Sequence, residues 1–167
     1  PALATLATLA FDYPPRADLF LRELEALLLL ARETGNDPLA YQGSYAGALG
    51  IPQFLPSSVR NWGVDFDGDG HVDLNGSAAD AIGSVANFLA SHGWESDGPI
   101  AHPARIEGTR HVELLDGAVL PRLTFSEMGE YGVSAIGAPD APCVLVDLVT
   151  PDAATEYWLG FRNFYVI

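Results

Sequence analysis

Alternating aspartates in one short segment have the spacing of a binding site for a hard cation. Residues 65–73 read Asp-Phe-Asp-Gly-Asp-Gly-His-Val-Asp, with acids at the first, third, fifth and ninth positions and glycine at the sixth. This pattern matches the first nine positions of an EF-hand loop, in which alternate carboxylates converge on Ca²⁺ and the glycine permits a sharp bend. The seventh position, His71, supplies a backbone carbonyl oxygen in such loops.

The segment departs from the EF-hand pattern at its twelfth position, where Gly76 replaces the usual bidentate glutamate. Asp80 is the best candidate for a closing ligand, because the start of a predicted helix favours a carboxylate electrostatically. The sequence therefore predicts a calcium loop over residues 65–80, with ligands from Asp65, Asp67, Asp69, the His71 carbonyl and Asp80. The alternative is a solvated acidic turn held by local side-chain hydrogen bonds.

A second segment, residues 43–58, is rich in glycine, proline, serine and aromatic residues. Its small residues let the backbone approach a bulky ligand, and Ser44, Tyr45 and Gln53 supply polar contacts. No histidine is spaced to act as a base for Ser44, so a serine hydrolase is poorly supported. No lysine follows the glycines in the manner of a phosphate-binding loop. The residues favour a ligand-binding loop inside a domain.

Two amphipathic helices are predicted on either side of this segment. Residues 16–33 carry apolar side chains at helical spacing, with prolines before them and Gly35 after them. The second helix fits Ala78–His92, with Ser77 as its N-cap and Asp80 at capping-box spacing. Its predicted inward stripe consists of Ile82, Val85, Ala86 and Leu89.

After Trp94 the sequence changes to short strand-like runs separated by Gly, Pro and Asp. The clearest strand-like runs are His111–Leu115 and Val144–Val149. A short helix is predicted over Thr124–Tyr131, with Thr124 and Glu127 forming a capping box. These features predict a small subdomain that contains β-structure.

Composition narrows the class of protein. The chain has 167 residues, of which 49% are hydrophobic, enough for a domain with a real core. Its net charge of −14 argues against a nucleic-acid partner. The longest apolar stretch falls far short of the roughly 20 residues that span a bilayer. The single cysteine, Cys143, lies beside an apolar run and is predicted to be a core residue.

Three short motifs in the glycine-rich segment are specific enough to compare with a known family. They are Ser-Tyr-Ala-Gly-Ala-Leu-Gly at 44–50, Pro-Gln-Phe at 52–54 and Pro-Ser-Ser at 56–58. Together they resemble the peptidoglycan-contacting motif of lytic murein transglycosylases of the membrane-bound B type. Residues 6–14, the acidic loop with residues 80–88, and residues 156–167 are similar to other segments of that family in the same order.

The resemblance implies an α+β, mainly α fold: a lysozyme-like helical core with an EF-hand-like calcium loop and a small β subdomain. The predicted boundaries are residues 1–94 for the core with its loop at 65–80, 95–150 for the β-containing subdomain, and 151–167 for a return to the core. It also implies non-hydrolytic cleavage of the MurNAc-β-1,4-GlcNAc bond, with a 1,6-anhydromuramoyl product. One glutamate acts in turn as acid and base.

The family's glutamate aligns upstream of Pro1, so the sequence predicts no catalytic residue within residues 1–167. Glu33 imitates the family's Glu-Thr motif but aligns with a variable helix end and is predicted to lie on the surface. Ser44 matches a serine near the catalytic glutamate, and Gln53 matches a glutamine that lines the sugar site. The substrate-binding prediction comprises Ser44, Gln53, Tyr45, Gly47 and Phe54.

The implied partners are peptidoglycan glycan strands and a preceding N-terminal part of the same protein. The implied location is the bacterial periplasm, with outer-membrane anchoring through that N-terminal part as an option.

Two alternatives remain open: a calcium-stabilised peptidoglycan-binding module without catalysis, and a dockerin-like calcium module. The last is the weakest, because dockerin-like modules use duplicated loops and this sequence has one.

Overall fold

The fold is described from a computed structural model that covers residues 1–167. The chain divides into two units, residues 1–88 and 89–167. Helices contain 42% of the residues and strands 15%, so the predicted predominance of helix fits only in part. No helix combines the length and apolar character that crossing a membrane requires.

Four helices build the first unit. They are α1 (Ala2–Asp12), α2 (Ala17–Thr34), α3 (Pro56–Trp62) and α4 (Ala78–Ser91), whose last turn belongs to the second unit. The helix predicted over residues 16–33 is confirmed as α2, which ends at Gly35 in the left-handed conformation (φ 70°). The core between α1, α2 and the following loop consists of Ala2, Leu6, Ala10, Phe20, Leu27, Leu30 and Leu49.

The helix predicted over residues 78–92 is confirmed as α4, but its predicted inward stripe is wrong at Ile82 and Ala86, which are exposed, while Val85 and Leu89 are half-buried. Ile82 is 70% exposed, whereas the buried face consists of Asp80, Ala81, Gly83 and Ser84. This face packs against the loop that precedes the helix, and a Cβ added at Gly83 would lie 2.7 Å from the Cβ of Phe66. The N–H groups of that loop need acceptors on the helix, and the loop backbone lies close to the helix. Small and polar residues therefore replace the expected aliphatic stripe.

Five antiparallel strands form the sheet of the second unit. They are β1 (Ala101–Ile106), β2 (Leu123–Thr124), β3 (Val133–Ser134), β4 (Pro142–Leu148) and β5 (Glu156–Gly160), in the spatial order β2-β4-β5-β1-β3. One face of the sheet carries a core of Met128, Val133, Cys143, Leu145, Leu159 and Phe161. Two short helices, α5 (Phe125–Met128) and α6 (Arg162–Val166), complete the unit.

Two of the three local predictions for this unit are confirmed. The run at residues 144–149 lies largely within β4, and Thr124 and Glu127 form the predicted capping box of α5. The strand predicted over His111–Leu115 is wrong, because Arg110–Leu114 form a 3-10 helix. Its apolar residues do not alternate strictly, and Leu114 and Leu115 pack side by side against the core of the unit.

The segment 151–167 differs from its predicted return to the helical core. Its strand β5 lies between β4 and β1, with Leu159 opposite both Leu145 and His102. The unit boundary also falls after Phe88 rather than after Trp94.

Cys143 is a core residue, as the sequence predicts, and only 1% of its surface is exposed. Burial, together with the nearby Asp140, raises the pKa of its thiol to about 11. The thiolate is the reactive form, so the folded protein should react far more slowly with a disulfide reagent at pH 8 than the unfolded protein. We expect at least a hundredfold difference in the rate of labelling by Ellman's reagent with and without denaturant. Equal labelling rates in the folded and the unfolded protein would contradict the burial of Cys143.

Candidate functional site

The side chain of Ser44 closes a tight turn at the start of the glycine-rich loop. Its Oγ accepts hydrogen bonds from the backbone N–H groups of Ala46 (3.3 Å) and Ala48 (3.2 Å). The Ser44 backbone pairs with Ala48, since its N–H donates to the Ala48 carbonyl at 2.9 Å. Ser44 is half-buried, and it therefore has a defined orientation in the free protein.

Glycine is required at two points of this loop. Gly47 and Gly50 have positive φ values of 78° and 67°, which side-chain-bearing residues rarely adopt. Any Cβ at Gly47 would collide with the side chain of Leu6, and one at Gly50 would lie 2.5 Å from the Leu74 carbonyl oxygen. The loop is thus pressed onto α1 on one side and onto the acidic segment on the other.

Gln53 has a strained backbone. Its φ is 54°, in the left-handed region that favours glycine. The strain is held by two hydrogen bonds between Leu49 and Phe54, of 2.7 and 3.0 Å, and by the Gln53 side-chain Nε2, which donates to the Gly50 carbonyl at 2.8 Å. Strain that neighbouring contacts maintain in this way is typical of functional positions.

The predicted substrate-binding residues separate into two groups. Ser44 is half-buried, Gln53 is exposed and Tyr45 is 93% exposed, so all three can reach a ligand. Gly47 and Phe54 are buried, and the Phe54 ring packs 5.6 Å from that of Phe88. Both residues support the loop from within, and their place in the substrate-binding set stays a prediction.

These residues do not lie in a closed cavity. A cleft of about 750 Å³ in the first unit is lined instead by the end of α2, Tyr41, Arg60 and residues 70–75. Ser44, Tyr45 and Gln53 do not line this cleft.

Neither Glu33 nor Glu23 of α2 has the environment of a general acid. Glu33 receives two hydrogen bonds from Arg60, of 2.7 and 2.9 Å, and these contacts above all lower the pKa of its carboxyl. A general acid needs the opposite shift. Glu23 is only 5% exposed, and both of its oxygens accept hydrogen bonds from Ser57. The prediction that Glu33 is a surface residue agrees with its exposure.

Three carboxylates of the acidic loop converge. Asp65, Asp67 and Asp80 each offer an oxygen, and these oxygens lie within 4.8 Å of one another. Because Ca²⁺ takes oxygen ligands at roughly 2.3–2.6 Å, oxygens around one ion lie at most about 5 Å apart. The donor set and its spacing therefore fit a calcium ion.

Asp80 organises the loop around this cluster. It is 1% exposed, and its Oδ1 accepts from the N–H of Phe66 (2.8 Å) and Asp67 (3.3 Å), while its Oδ2 accepts from that of Asp73 (2.8 Å). The Asp73 N–H is the main cause of a lowered pKa of the Asp80 carboxyl, although burial acts in the opposite direction. Only half of the predicted capping box forms, since Ser77 accepts from the Asp80 N–H and the Asp80 carboxylate binds the loop.

The two other predicted ligands, Asp69 and the His71 carbonyl, stay predictions. The carboxylate of Asp69 lies outside the group of three and accepts the N–H of His71 at 2.9 Å. His71 is exposed. The loop is attached to the core through Leu74, which is 4% exposed and whose carbonyl accepts the N–H of Ile51. The structure thus assembles Asp65, Asp67 and Asp80 from the predicted set.

Relatives share both the sequence and the fold. A family model described as a transglycosylase SLT domain matches residues 1–167. Membrane-bound lytic murein transglycosylase B of Escherichia coli (strain K12) is 40% identical over 174 aligned positions, which cover 99% of this chain and 45% of that protein.

Two solved structures are close to this one. Soluble lytic transglycosylase SltB1 from Pseudomonas aeruginosa superposes with a TM-score of 0.88 at 45% identity, over 97% of this chain and 54% of that chain. The Escherichia coli lytic transglycosylase Slt35 in complex with calcium superposes with a TM-score of 0.83 at 39% identity. The match covers 98% of this chain and 51% of that chain. The chain spans about half the length of these relatives.

The match of the family model extends over every element that positions the site, from α1 through the glycine-rich and acidic loops to α6. The fold is accordingly the lysozyme-like fold of lytic transglycosylases, with helices and a curled sheet. This chain belongs to the transglycosylase SLT domain family.

Proposed function

We propose that this protein is part of a peptidoglycan lytic transglycosylase, which cleaves the MurNAc-β-1,4-GlcNAc bond without water. The observation that carries the proposal is the match of the transglycosylase SLT domain over the whole chain, including the loop that carries Ser44 and Gln53. The envelope is the proposed location, because a membrane-bound murein transglycosylase is among the relatives. Within the envelope, the periplasm is the compartment that contains the substrate.

The proposed reaction is an intramolecular transfer. A glutamic acid gives its proton to the leaving O4 of GlcNAc as the C1–O4 bond breaks, and its carboxylate then takes the proton of the muramoyl 6-hydroxyl as the C1–O6 bond forms. We assign this glutamate to sequence upstream of Pro1. Within residues 1–167, Arg60 keeps Glu33 in the wrong protonation state and Glu23 is too buried to reach a sugar.

In this proposal the chain contributes the sugar-binding surface. The exposed amide of Gln53 offers both a donor and an acceptor to the hydroxyl and acetamido groups of an amino sugar. Ser44 places a hydroxyl at the turn beside it, and the exposed ring of Tyr45 offers an apolar face for a pyranose. Gly47 and Phe54 act indirectly, by fixing the shape of the loop.

Calcium is the proposed structural ion of the acidic loop. Asp65, Asp67 and Asp80 would hold it, and its positive charge would relieve repulsion among their carboxylates. The calcium complex of the related Slt35 supports this choice of ion. The ion would stabilise the loop that abuts Gly50, and so would support the sugar-binding loop without touching the substrate.

A peptidoglycan-binding module without catalysis is the second candidate. It is favoured by the environments of Glu33 and Glu23, neither of which suits a general acid. The two candidates differ in the products that they release from peptidoglycan.

Digestion of purified sacculi tests the reaction. We expect no release of muropeptides by residues 1–167 alone, and release of 1,6-anhydromuropeptides by a chain that also carries the upstream segment. Mass spectrometry separates these products from hydrolytic ones, which are heavier by one water. Anhydromuropeptides released by residues 1–167 alone would contradict the upstream assignment, and hydrolytic products from the longer chain would contradict the transglycosylase proposal.

Substitution of Gln53 tests the sugar-binding surface. Gln53→Ala should weaken the binding of a GlcNAc–MurNAc tetrasaccharide by about five- to tenfold, since one hydrogen bond contributes roughly 1 kcal/mol. Isothermal titration calorimetry measures the Kd. Gln42→Ala is the matched control, because Gln42 is an exposed amide on the same segment. Equal affinities for the Gln53 variant and the wild type would remove Gln53 from the site.

Calcium titration tests the acidic loop. Calcium at a hundred times its Kd should stabilise the protein by about 2.7 kcal/mol and raise Tm by several degrees. Asp67→Asn should reduce this increase more than Asp69→Asn does, because only the carboxylate of Asp67 belongs to the cluster of three. Differential scanning calorimetry with and without a chelator measures Tm. A larger loss with Asp69→Asn would restore the ligand set predicted from sequence.

A further inference from the structure

Glu23 is a buried acid that the proposed reaction does not use. It lies on α2, is 5% exposed and forms none of the ion pairs of the structure. A carboxylate is retained in such a place only where hydrogen bonds replace its hydration. Both hydrogen bonds of Glu23 come from one residue, Ser57, which lies 34 positions further along the chain.

The contact between Glu23 and Ser57 has two points of attachment. The Ser57 backbone N–H donates to Oε2 at 2.9 Å, and the Ser57 hydroxyl donates to Oε1 at 2.7 Å. Two bonds between the same residues fix orientation as well as distance. Pro56, directly before Ser57, is fully buried at the start of α3. The chain is therefore immobilised where the glycine-rich loop ends.

This anchor lies four residues after Gln53, whose backbone is strained at φ 54°. On the other side of Gln53, the backbone of Leu49 is bonded to that of Phe54. A strained conformation persists only where its surroundings over-determine it. The Leu49–Phe54 bonds close the loop that contains Gln53, and the Glu23–Ser57 contact fixes the chain three residues after that closure. The loop therefore has little freedom to relax.

We propose that Glu23 is a positioning residue for saccharide binding: through Ser57, its carboxylate holds the strained Gln53 in the conformation that contacts the sugar. The inference rests on the proposed function of Gln53. Glu23 does not touch the ligand, because the side chain is buried and its oxygens are engaged by Ser57.

A double-mutant cycle tests whether Glu23 acts through Gln53. Glu23→Gln should weaken the binding of the GlcNAc–MurNAc tetrasaccharide by about fivefold, because an amide cannot accept both Ser57 bonds. In the Gln53→Ala background the same substitution should have no further effect. Ser57→Ala, which removes one of the two bonds, is a milder variant that should give a smaller loss through the same route. Glu25→Gln, an exposed glutamate on the same helix, is the control.

Nuclear magnetic resonance gives a readout that general destabilisation would not produce. The side-chain amide signals of Gln53 should shift in Glu23→Gln at a temperature where the variant is fully folded, and they should not shift in Glu25→Gln. Unchanged affinity and unchanged signals in Glu23→Gln, or an equal loss of affinity with and without Gln53, would overturn the inference alone. Failure of the wild-type protein to bind the tetrasaccharide would overturn the proposed function and the inference with it.

Discussion

Buried carboxylates that accept backbone N–H groups are the interaction on which the first unit depends. Its functional loops, residues 35–55 and 63–77, contain little regular structure, so many of their N–H groups need partners from elsewhere. Asp80 supplies partners for three such groups from a single position at the start of α4. Glu23 does the same for the N-terminus of α3. Asp80 thereby connects α4 to the acidic loop, and Glu23 connects α2 to the start of α3.

The two loops also depend on each other. Gly50 of the glycine-rich loop lies against Leu74 of the acidic loop, and the N–H of Ile51 donates to the Leu74 carbonyl. A cation in the acidic loop would therefore restrict a segment two residues from Gln53. This arrangement would give the proposed ion a physical role although the proposed reaction uses no metal. The ion would order a loop that is otherwise held by the Ile51–Leu74 hydrogen bond and the contact of Leu74 with Gly50.

Short sequence motifs predicted local structure more reliably than the periodicity of apolar residues did. The turn residues of the glycine-rich segment, the Asp-x-Asp-x-Asp-Gly pattern and the Thr124–Glu127 capping box depend on local geometry, and each is present where the sequence places it. Periodicity failed in α4, because its inward face consists of residues chosen for hydrogen bonding and small size. It also failed at residues 111–115, where a short apolar run fits a 3-10 helix as well as a strand.

The sequence by itself determined the family, the principal helices and the two loops, because these follow from short-range spacing and from motifs that tolerate few alternatives. It did not determine which side chains face outward. Tertiary structure decided that Gly47 and Phe54 are buried while Tyr45 and Gln53 are exposed. It also decided that Asp80 converges with Asp65 and Asp67, and that Glu23 bonds to Ser57. These contacts join residues far apart in the chain, and only packing between elements fixes which of them meet.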